Sequence, residues 1–273
     1  MRPALALLGS GIVAAWVAAA PAATAQALPP AAQRVHDLAR GGKWFAEAQR
    51  LAPTLLPTSD GQSFVLVWTP GGAPPERWVV SLHGTAGFAT DDLALWHRSL
   101  GGRGLGFIAL QWWLGEDRGP RGYYTPEQID RELEPALRHA GARPGAALLH
   151  GFSRGASVLY AVAALDGARP ARAFSWFVAS SGRASRDFPP NRAIDEGRFG
   201  PRPFEGTRWI TACGGRDPHP ERDGCPGMRA TGQWLAERGA QVVAAIEDPQ
   251  RGHGAFQLDP RHVGRALDLF TGR

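Results

Sequence analysis

The first candidate for chemistry is a serine with a glycine two residues to either side. The letters GFSRG at positions 151–155 place Ser153 between Gly151 and Gly155. An apolar run precedes this stretch and a helix-forming segment follows it, which is the setting of a sharp strand-to-helix turn. Side chains at the two glycines would clash with neighbouring chain in such a turn. The pattern predicts a nucleophile that projects above a sheet, and the alternative is a small-residue bend.

A serine hydroxyl attacks poorly unless a base takes its proton. His253 stands between Gly252 and Gly254, after the last apolar run and before the last helical segment. Two other histidines compete with it. His219 lies in the loop expected to carry the acid, and His262 lies inside a predicted helix. We therefore predict that His253 is the base.

The base in turn needs a carboxylate that fixes its tautomer and stabilises the imidazolium. Asp217 is the first acid after the apolar run that ends near Cys213, and we predict it for this role. Asp187 and Asp223 are the alternatives, the first because it follows the strand after the serine helix, the second because it lies further along the same loop.

Acyl transfer also requires donors for the oxyanion. The backbone N–H of Arg154, the residue after the serine, is one expected donor. The second is expected from the loop after Leu82, where Gly84 lets the backbone turn and either Thr85 or Ala86 points its N–H inward.

Short apolar runs and helical segments alternate along the chain, and the chemical residues lie where the runs end. Continuous apolar runs of this length are typical of strands covered on both faces, and the alternation predicts a mostly parallel sheet with helices on both faces. The runs are 54–56, 64–68, 78–82, 107–110, 146–149, 174–178, 209–212 and 242–246. The helical segments are 31–50, broken by Gly41-Gly42, then 125–140, 154–165, 227–238 and 261–270.

From about residue 54 onward the chain resembles the α/β-hydrolase superfamily. The resemblance is carried by His83-Gly84, the 151–155 stretch, Asp217 and His253, in that order and at strand ends. It implies the α/β-hydrolase fold and a serine hydrolase whose residues follow the superfamily's order of serine, acid and histidine. Within the superfamily the chain is similar to secreted bacterial serine esterases of the dienelactone-hydrolase and polyhydroxyalkanoate-depolymerase kind, which implies a small-molecule or polymer ester as substrate.

An aromatic group is placed to form a substrate pocket. Trp112 and Trp113 end one strand, and Tyr123 and Tyr124 follow after a loop of Gly, Arg and Pro. Large aromatic side chains of this kind wall acyl pockets, although they also pack ordinary cores. The segment 183–206 is too short for a large cap domain, so we expect an open cleft.

The first residues have the form of a signal peptide. Arg2 is followed by an uncharged apolar run, and small residues at Ala23 and Ala25 suit a cleavage site. An uncleaved anchor is the alternative. We predict a signal at 1–25, a linker and helix at 26–50, a catalytic domain at 51–273, and a secreted or periplasmic location without stable membrane insertion.

The sequence contains two cysteines, Cys213 and Cys225, and an exported protein would carry them into an oxidising compartment. Exported proteins retain disulfides, so we predict a bond between them that ties the loop of Asp217. The alternative is a pair of reduced thiols.

The overall charge suggests no polyanionic partner. The net charge is +5, but the basic residues are scattered rather than clustered, and no nucleic-acid motif is present. We find no metal-ligand spacing and no glycine-rich nucleotide loop, so we expect no metal and no cofactor. A serine peptidase of the same fold and a non-catalytic binding protein are the alternative functions.

Overall fold

The structure is a computed structural model that describes residues 27–273, so the predicted signal segment lies outside the described residues. The strands are β1 (Thr54–Pro57), β2 (Phe64–Trp68), β3 (Arg77–Leu82), β4 (Leu105–Leu110), β5 (Ala147–Phe152), β6 (Phe174–Ser180), β7 (Arg208–Gly214) and β8 (Gln241–Asp248). The helices are α1 (Pro30–Ala39), α2 (Phe45–Arg50), α3 (Ala89–Leu100), α4 (Pro126–His139), α5 (Arg154–Gly167), α6 (Pro189–Asp195), α7 (Cys225–Glu237) and α8 (Pro260–Thr271).

The strands form one sheet of eight in the order β1-β2-β4-β3-β5-β6-β7-β8. β1 and β2 pair antiparallel, as do β2 and β4, and every other neighbouring pair is parallel. Each strand coincides with an apolar run in the sequence. The mostly parallel sheet confirms the predicted fold class.

The runs are continuous because helices cover both faces of the sheet. All six residues of β4 are buried. One apolar core lies on the side of α4, α5 and α7, and a second on the side of α3 and α8. A strand inside two cores has no polar face, which is why the sequence shows runs instead of alternation.

The start of α4 follows from local chemistry. The Thr125 hydroxyl accepts from the Gln128 backbone N–H at 3.3 Å, and the Gln128 side chain accepts from the Thr125 N–H at 2.8 Å. Pro126 occupies the first helical position, where a missing N–H does no harm. Two helices were not predicted. α3 contains the buried Asp92 and therefore has no clean polar face, and α6 is only one short element in a Pro- and Arg-rich segment.

The chain between β6 and β7 holds α6 and no larger insertion, so the residues described contain no large cap over the strand ends. Among residues 27–273, no helix is both long enough and apolar enough to cross a bilayer.

Candidate active site

Ser153 joins β5 to α5 in a strained conformation. Its φ is +54°, a region that residues with a side chain rarely adopt. A Cβ at Gly151 would overlap the Gly155 carbonyl oxygen, and a Cβ at Gly155 would overlap the Leu82 carbonyl oxygen. The turn therefore requires glycine at both positions, because the backbones of two strands and a helix meet there. This arrangement lifts Ser153 to the carboxyl edge of the sheet.

Three residues far apart in sequence form one line of hydrogen bonds at this edge. His253 Nε2 lies 2.8 Å from Ser153 Oγ, and His253 Nδ1 lies 2.7 Å from Asp217 Oδ2. With the proton on Nδ1, the imidazole donates to the carboxylate and accepts from the serine hydroxyl. The imidazole packs on the Phe152 ring, with 5.1 Å between centroids. Its side chain is 34% exposed, so a substrate can reach it.

The loops that carry the acid and the histidine support each other. The Asp217 side chain is fully buried, and its second oxygen accepts from the His219 backbone N–H at 2.9 Å. The Arg216 N–H donates to the Arg251 carbonyl at 2.9 Å, which joins the acid loop to the histidine loop. The carboxylate is therefore held by the backbone on one side and faces the imidazole on the other.

A covalent bond closes the acid loop. Cys213, near the end of β7, and Cys225, the first residue of α7, form a disulfide across a separation of 12 residues. The prediction of this bond is confirmed. Asp217 lies inside the closed segment, so the bond limits how far its loop can open.

The two alternative acids occupy different surroundings. Asp187 is exposed, and its carboxylate accepts from the Ser185 hydroxyl at 3.3 Å. Asp223 is buried and comes within 4.8 Å of the ligand atoms of Asp217 and His253. Its carboxylate pairs with Arg222 at 2.7 Å instead of with the imidazole. Of the three acids, only Asp217 hydrogen-bonds to His253 among the residues described.

The competing histidines are used elsewhere. His262 lies on α8, and its Nε2 is 2.9 Å from Oδ2 of Asp248, the last residue of β8. The side chain of His219 is exposed, and its backbone supports Asp217.

The structure separates the two candidates for the second oxyanion donor. The Ala86 N–H donates to the Tyr123 hydroxyl at 2.8 Å, so this N–H is not free to bind an oxyanion. We therefore correct the expected second donor from Ala86 to Thr85. In the part of the chain described, neither Thr85 nor Arg154 donates its backbone N–H to another group. Arg154 opens α5, where N–H groups lack intrahelical partners. Thr85 also lines the cavity beside Ser153.

His83 supports the loop after β3 through contacts to its own backbone. Its Nδ1 contacts the Gly84 carbonyl at 2.9 Å, and complete burial lowers the pKa of its imidazole to about 4. The Trp112 indole N–H donates to the His83 carbonyl at 3.0 Å. A Cβ at Gly84 would come within 2.9 Å of the Phe152 ring, so this glycine permits a close approach of the two loops.

A cavity of about 660 Å³ opens beside Ser153. Trp112, Tyr123 and Tyr124 line it, as the sequence indicated, but Trp113 does not. The Trp113 indole turns away and donates to the Asp117 carbonyl at 3.0 Å, because successive residues of extended chain point to opposite sides. The lining residues that the sequence did not indicate are Arg118, Pro120, Thr125, Pro126, Glu127, the Arg154 side chain, Ser157, Val158, Phe188, Pro190, Arg222 and Asp223.

One cluster of potential metal ligands lies at this site, and its side chains already have other partners. At the Asp217–Asp223–His253 cluster both imidazole nitrogens are hydrogen-bonded and Asp223 pairs with Arg222. Ligand sets that are neutralised by arginine in this way do not suit a cation.

No protein-family model matches the chain, and no curated protein sequence matches it significantly. Solved structures do. A Thermus thermophilus protein is 22% identical, with a TM-score of 0.59 over 81% of this chain and 98% of its own. A hyperthermophilic esterase from Pyrobaculum calidifontis is 15% identical, with a TM-score of 0.58 over 87% and 93%. A Bacillus cereus carboxylesterase is 17% identical, with a TM-score of 0.53 over 76% and 93%. The chain has the α/β-hydrolase fold.

Proposed function

We propose that this protein is a serine hydrolase that cleaves carboxylic esters. The observation that carries the proposal is the line of hydrogen bonds from Ser153 through His253 to Asp217, at a strained turn beside an open cavity. A base within hydrogen-bonding reach of a hydroxyl, and itself oriented by a carboxylate, is the arrangement that activates serine.

The proposed reaction has two halves. Ser153 Oγ attacks the ester carbonyl while its proton moves to His253 Nε2, and the oxyanion is stabilised by the backbone N–H groups of Arg154 and Thr85. The C–O bond to the alcohol breaks as Nε2 returns the proton to the leaving oxygen. Water then attacks the acyl-enzyme through the same base, which releases the acid and restores Ser153. Asp217 stabilises the imidazolium in both halves.

The proposed substrate is a small-molecule or polymer ester, taken up by a cleft without a large cap. We also propose that the protein is exported to the periplasm or the medium. The apolar run after Arg2 and the disulfide support this location, because such bonds persist in oxidising compartments. Expression with and without residues 1–25, followed by fractionation, tests it: retention of both forms in the cytoplasm would contradict export.

Active-site labelling followed by a substrate panel tests the activity. We expect a fluorophosphonate to label the wild type and not Ser153→Ala, and p-nitrophenyl esters to turn over faster than peptide anilides. Faster cleavage of the anilides would mark a peptidase. Absence of both labelling and turnover would mark a binding protein that retained the fold.

A further inference from the structure

The cavity beside Ser153 lies on one side of the proposed scissile bond. Ser153 lines it, but His253 is absent from its lining. In the proposed reaction the leaving oxygen must face His253 Nε2, because that atom returns the proton. The cavity is therefore placed to hold the acyl part of the substrate, away from the leaving group.

Within this cavity the guanidinium of Arg154 is held in a defined orientation. It stacks over the Tyr123 ring, with its central carbon 4.1 Å from the ring centroid. One of its N–H groups donates to the Arg118 carbonyl at 2.5 Å. Tyr123 is itself fixed, because its hydroxyl accepts from the Ala86 N–H. A stacked guanidinium that is anchored at one N–H presents its other donors in a fixed plane.

The charges around the cavity leave this arginine without an acidic partner. Two carboxylates line the cavity, and each has an arginine of its own. Glu127 lies 3.6 Å from Arg198, and Asp223 lies 2.7 Å from Arg222. Arg154 and Arg118 also line the cavity, and neither has a carboxylate within 4.0 Å among residues 27–273.

We propose that the acyl group of the substrate carries an anion, with a carboxylate as the simplest case, and that Arg154 binds it with Arg118 beside it. The assignment of the anion to the acyl part of the substrate rests on the proposed function. The anion site itself is inferred from the geometry of the cavity alone. The planar fork of arginine matches the two oxygens of a carboxylate, and such charge-assisted bonds are stronger than neutral ones. Trp112, Tyr124 and Phe188 contribute apolar surface for the chain that joins the anion to the ester.

The test compares two esters of nearly equal shape. One is the p-nitrophenyl monoester of adipic acid, and the other is its monoamide, in which the distal carboxylate becomes a carboxamide. Spontaneous hydrolysis is subtracted from both. We expect the wild type to favour the carboxylate in kcat/KM by on the order of tenfold or more, as for hydrogen bonds to charged groups.

Arg154→Met tests the side chain without touching the backbone N–H that would stabilise the oxyanion. We expect this variant to lose the preference for the carboxylate, and Arg118→Met to lose part of it. Arg143→Met is the matched control, since it removes one positive charge at an exposed arginine outside this cavity. The control should keep the wild-type ratio, which excludes an effect of net charge.

Several outcomes would overturn the inference while leaving the esterase intact. Equal kcat/KM for the two esters in the wild type is one, and an unchanged ratio in Arg154→Met is another. A ratio that falls equally in Arg143→Met would also overturn it, because long-range charge would then explain the preference.

Binding separates this inference from the proposed function. In Ser153→Ala we expect adipate to bind, seen by chemical-shift changes, and adipamide to bind at least tenfold more weakly, with adipate binding lost when Arg154→Met is added. If no ester is cleaved and adipate still binds in this pattern, the proposed function fails and the anion site stands. If adipate does not bind, the anion site fails whatever the esters show.

Discussion

Within residues 27–273, two clusters of serine, histidine and aspartate differ in order and in access to solvent. At the edge of the sheet, His253 lies between Ser153 and Asp217. Inside the second core, Ser81 lies between His150 and Asp92. We call these the rim cluster and the buried cluster.

The buried cluster joins three strands and a helix. Ser81 Oγ on β3 lies 2.5 Å from Asp92 Oδ2 on α3 and 2.9 Å from His150 Nδ1 on β5. His150 Nε2 lies 3.2 Å from Ser180 Oγ on β6. When Asp92 is ionised, the directions are settled: Ser180 donates to His150, His150 donates to Ser81, and Ser81 donates to Asp92. Every buried polar group in the series then has a partner.

The comparison shows that residue types alone do not make a nucleophile. In the buried cluster the hydroxyl proton of Ser81 points to Asp92 whenever that carboxyl group is ionised, so the imidazole is then not its base. Complete burial also lowers the pKa of His150 to about 3, which makes it too weak to accept a proton at neutral pH. The rim imidazole is partly exposed and contacts the hydroxyl directly. Order and access, rather than composition, separate the two clusters.

The largest expected contrast is between the two serines. Ser153→Ala should lower kcat by about four to six orders of magnitude, because it removes the nucleophile. Ser81→Ala should instead lower the unfolding free energy by about 1–3 kcal/mol, since it leaves buried partners unsatisfied. Ester turnover and chemical denaturation of both variants measure this contrast. Full turnover in Ser153→Ala would remove the distinction between the clusters.

The acid of the rim cluster comes next. Asp217→Asn should lower kcat by about four orders of magnitude, because the imidazole then takes the wrong tautomer. Asp187→Asn is the control, and it should retain wild-type turnover since Asp187 is exposed and away from His253. The reverse result, with loss only in Asp187→Asn, would mean that a different loop supplies the acid.

The buried cluster should affect the pH dependence of stability and not the rate of ester turnover. Burial raises the pKa of Asp92 to about 7 from 3.8, so the native state retains a proton that the unfolded chain releases between these values. The contribution of Asp92 to stability is therefore complete below about pH 4 and is lost as the pH rises through 7. Relative to wild type, Asp92→Asn should gain roughly 4 kcal/mol between pH 4 and pH 8. A difference that does not change with pH would show that Asp92 keeps one charge state throughout.

A smaller expected effect on the unfolding free energy comes from the disulfide bond that closes the acid loop of the rim cluster. Reduction of the Cys213–Cys225 bond should lower stability by about 3 kcal/mol, because a short closed loop regains entropy in the unfolded chain. Thermal unfolding with and without reductant measures this loss, and the Cys213→Ser, Cys225→Ser double variant is the control that should not respond. An identical melting temperature under both conditions would indicate that the bond does not hold the acid loop.

Much of the site was predictable because it lies at the ends of apolar runs. Parallel strands end at the same edge, so residues after successive runs were expected to converge. The choice of His253 over His262 and of Asp217 over Asp223 followed from this rule. Both chosen residues lie in one line of hydrogen bonds with Ser153, and their catalytic roles are part of the proposed function. The buried cluster was not foreseen, since Ser81 and His150 interrupt apolar runs without any spacing that links them.

The sequence by itself determined the order of the strands and of the helices other than α3 and α6, the serine between glycines and the pair of cysteines, because these depend on local patterns. Only the tertiary structure decided that Ala86 gives its N–H to Tyr123 and that Trp113 turns out of the cavity. It also decided that Arg154 stacks on Tyr123 with no carboxylate within 4.0 Å among residues 27–273. The physical reason is that a local pattern fixes which face a residue occupies, whereas a hydrogen bond or a stacking contact depends on what the rest of the chain brings opposite.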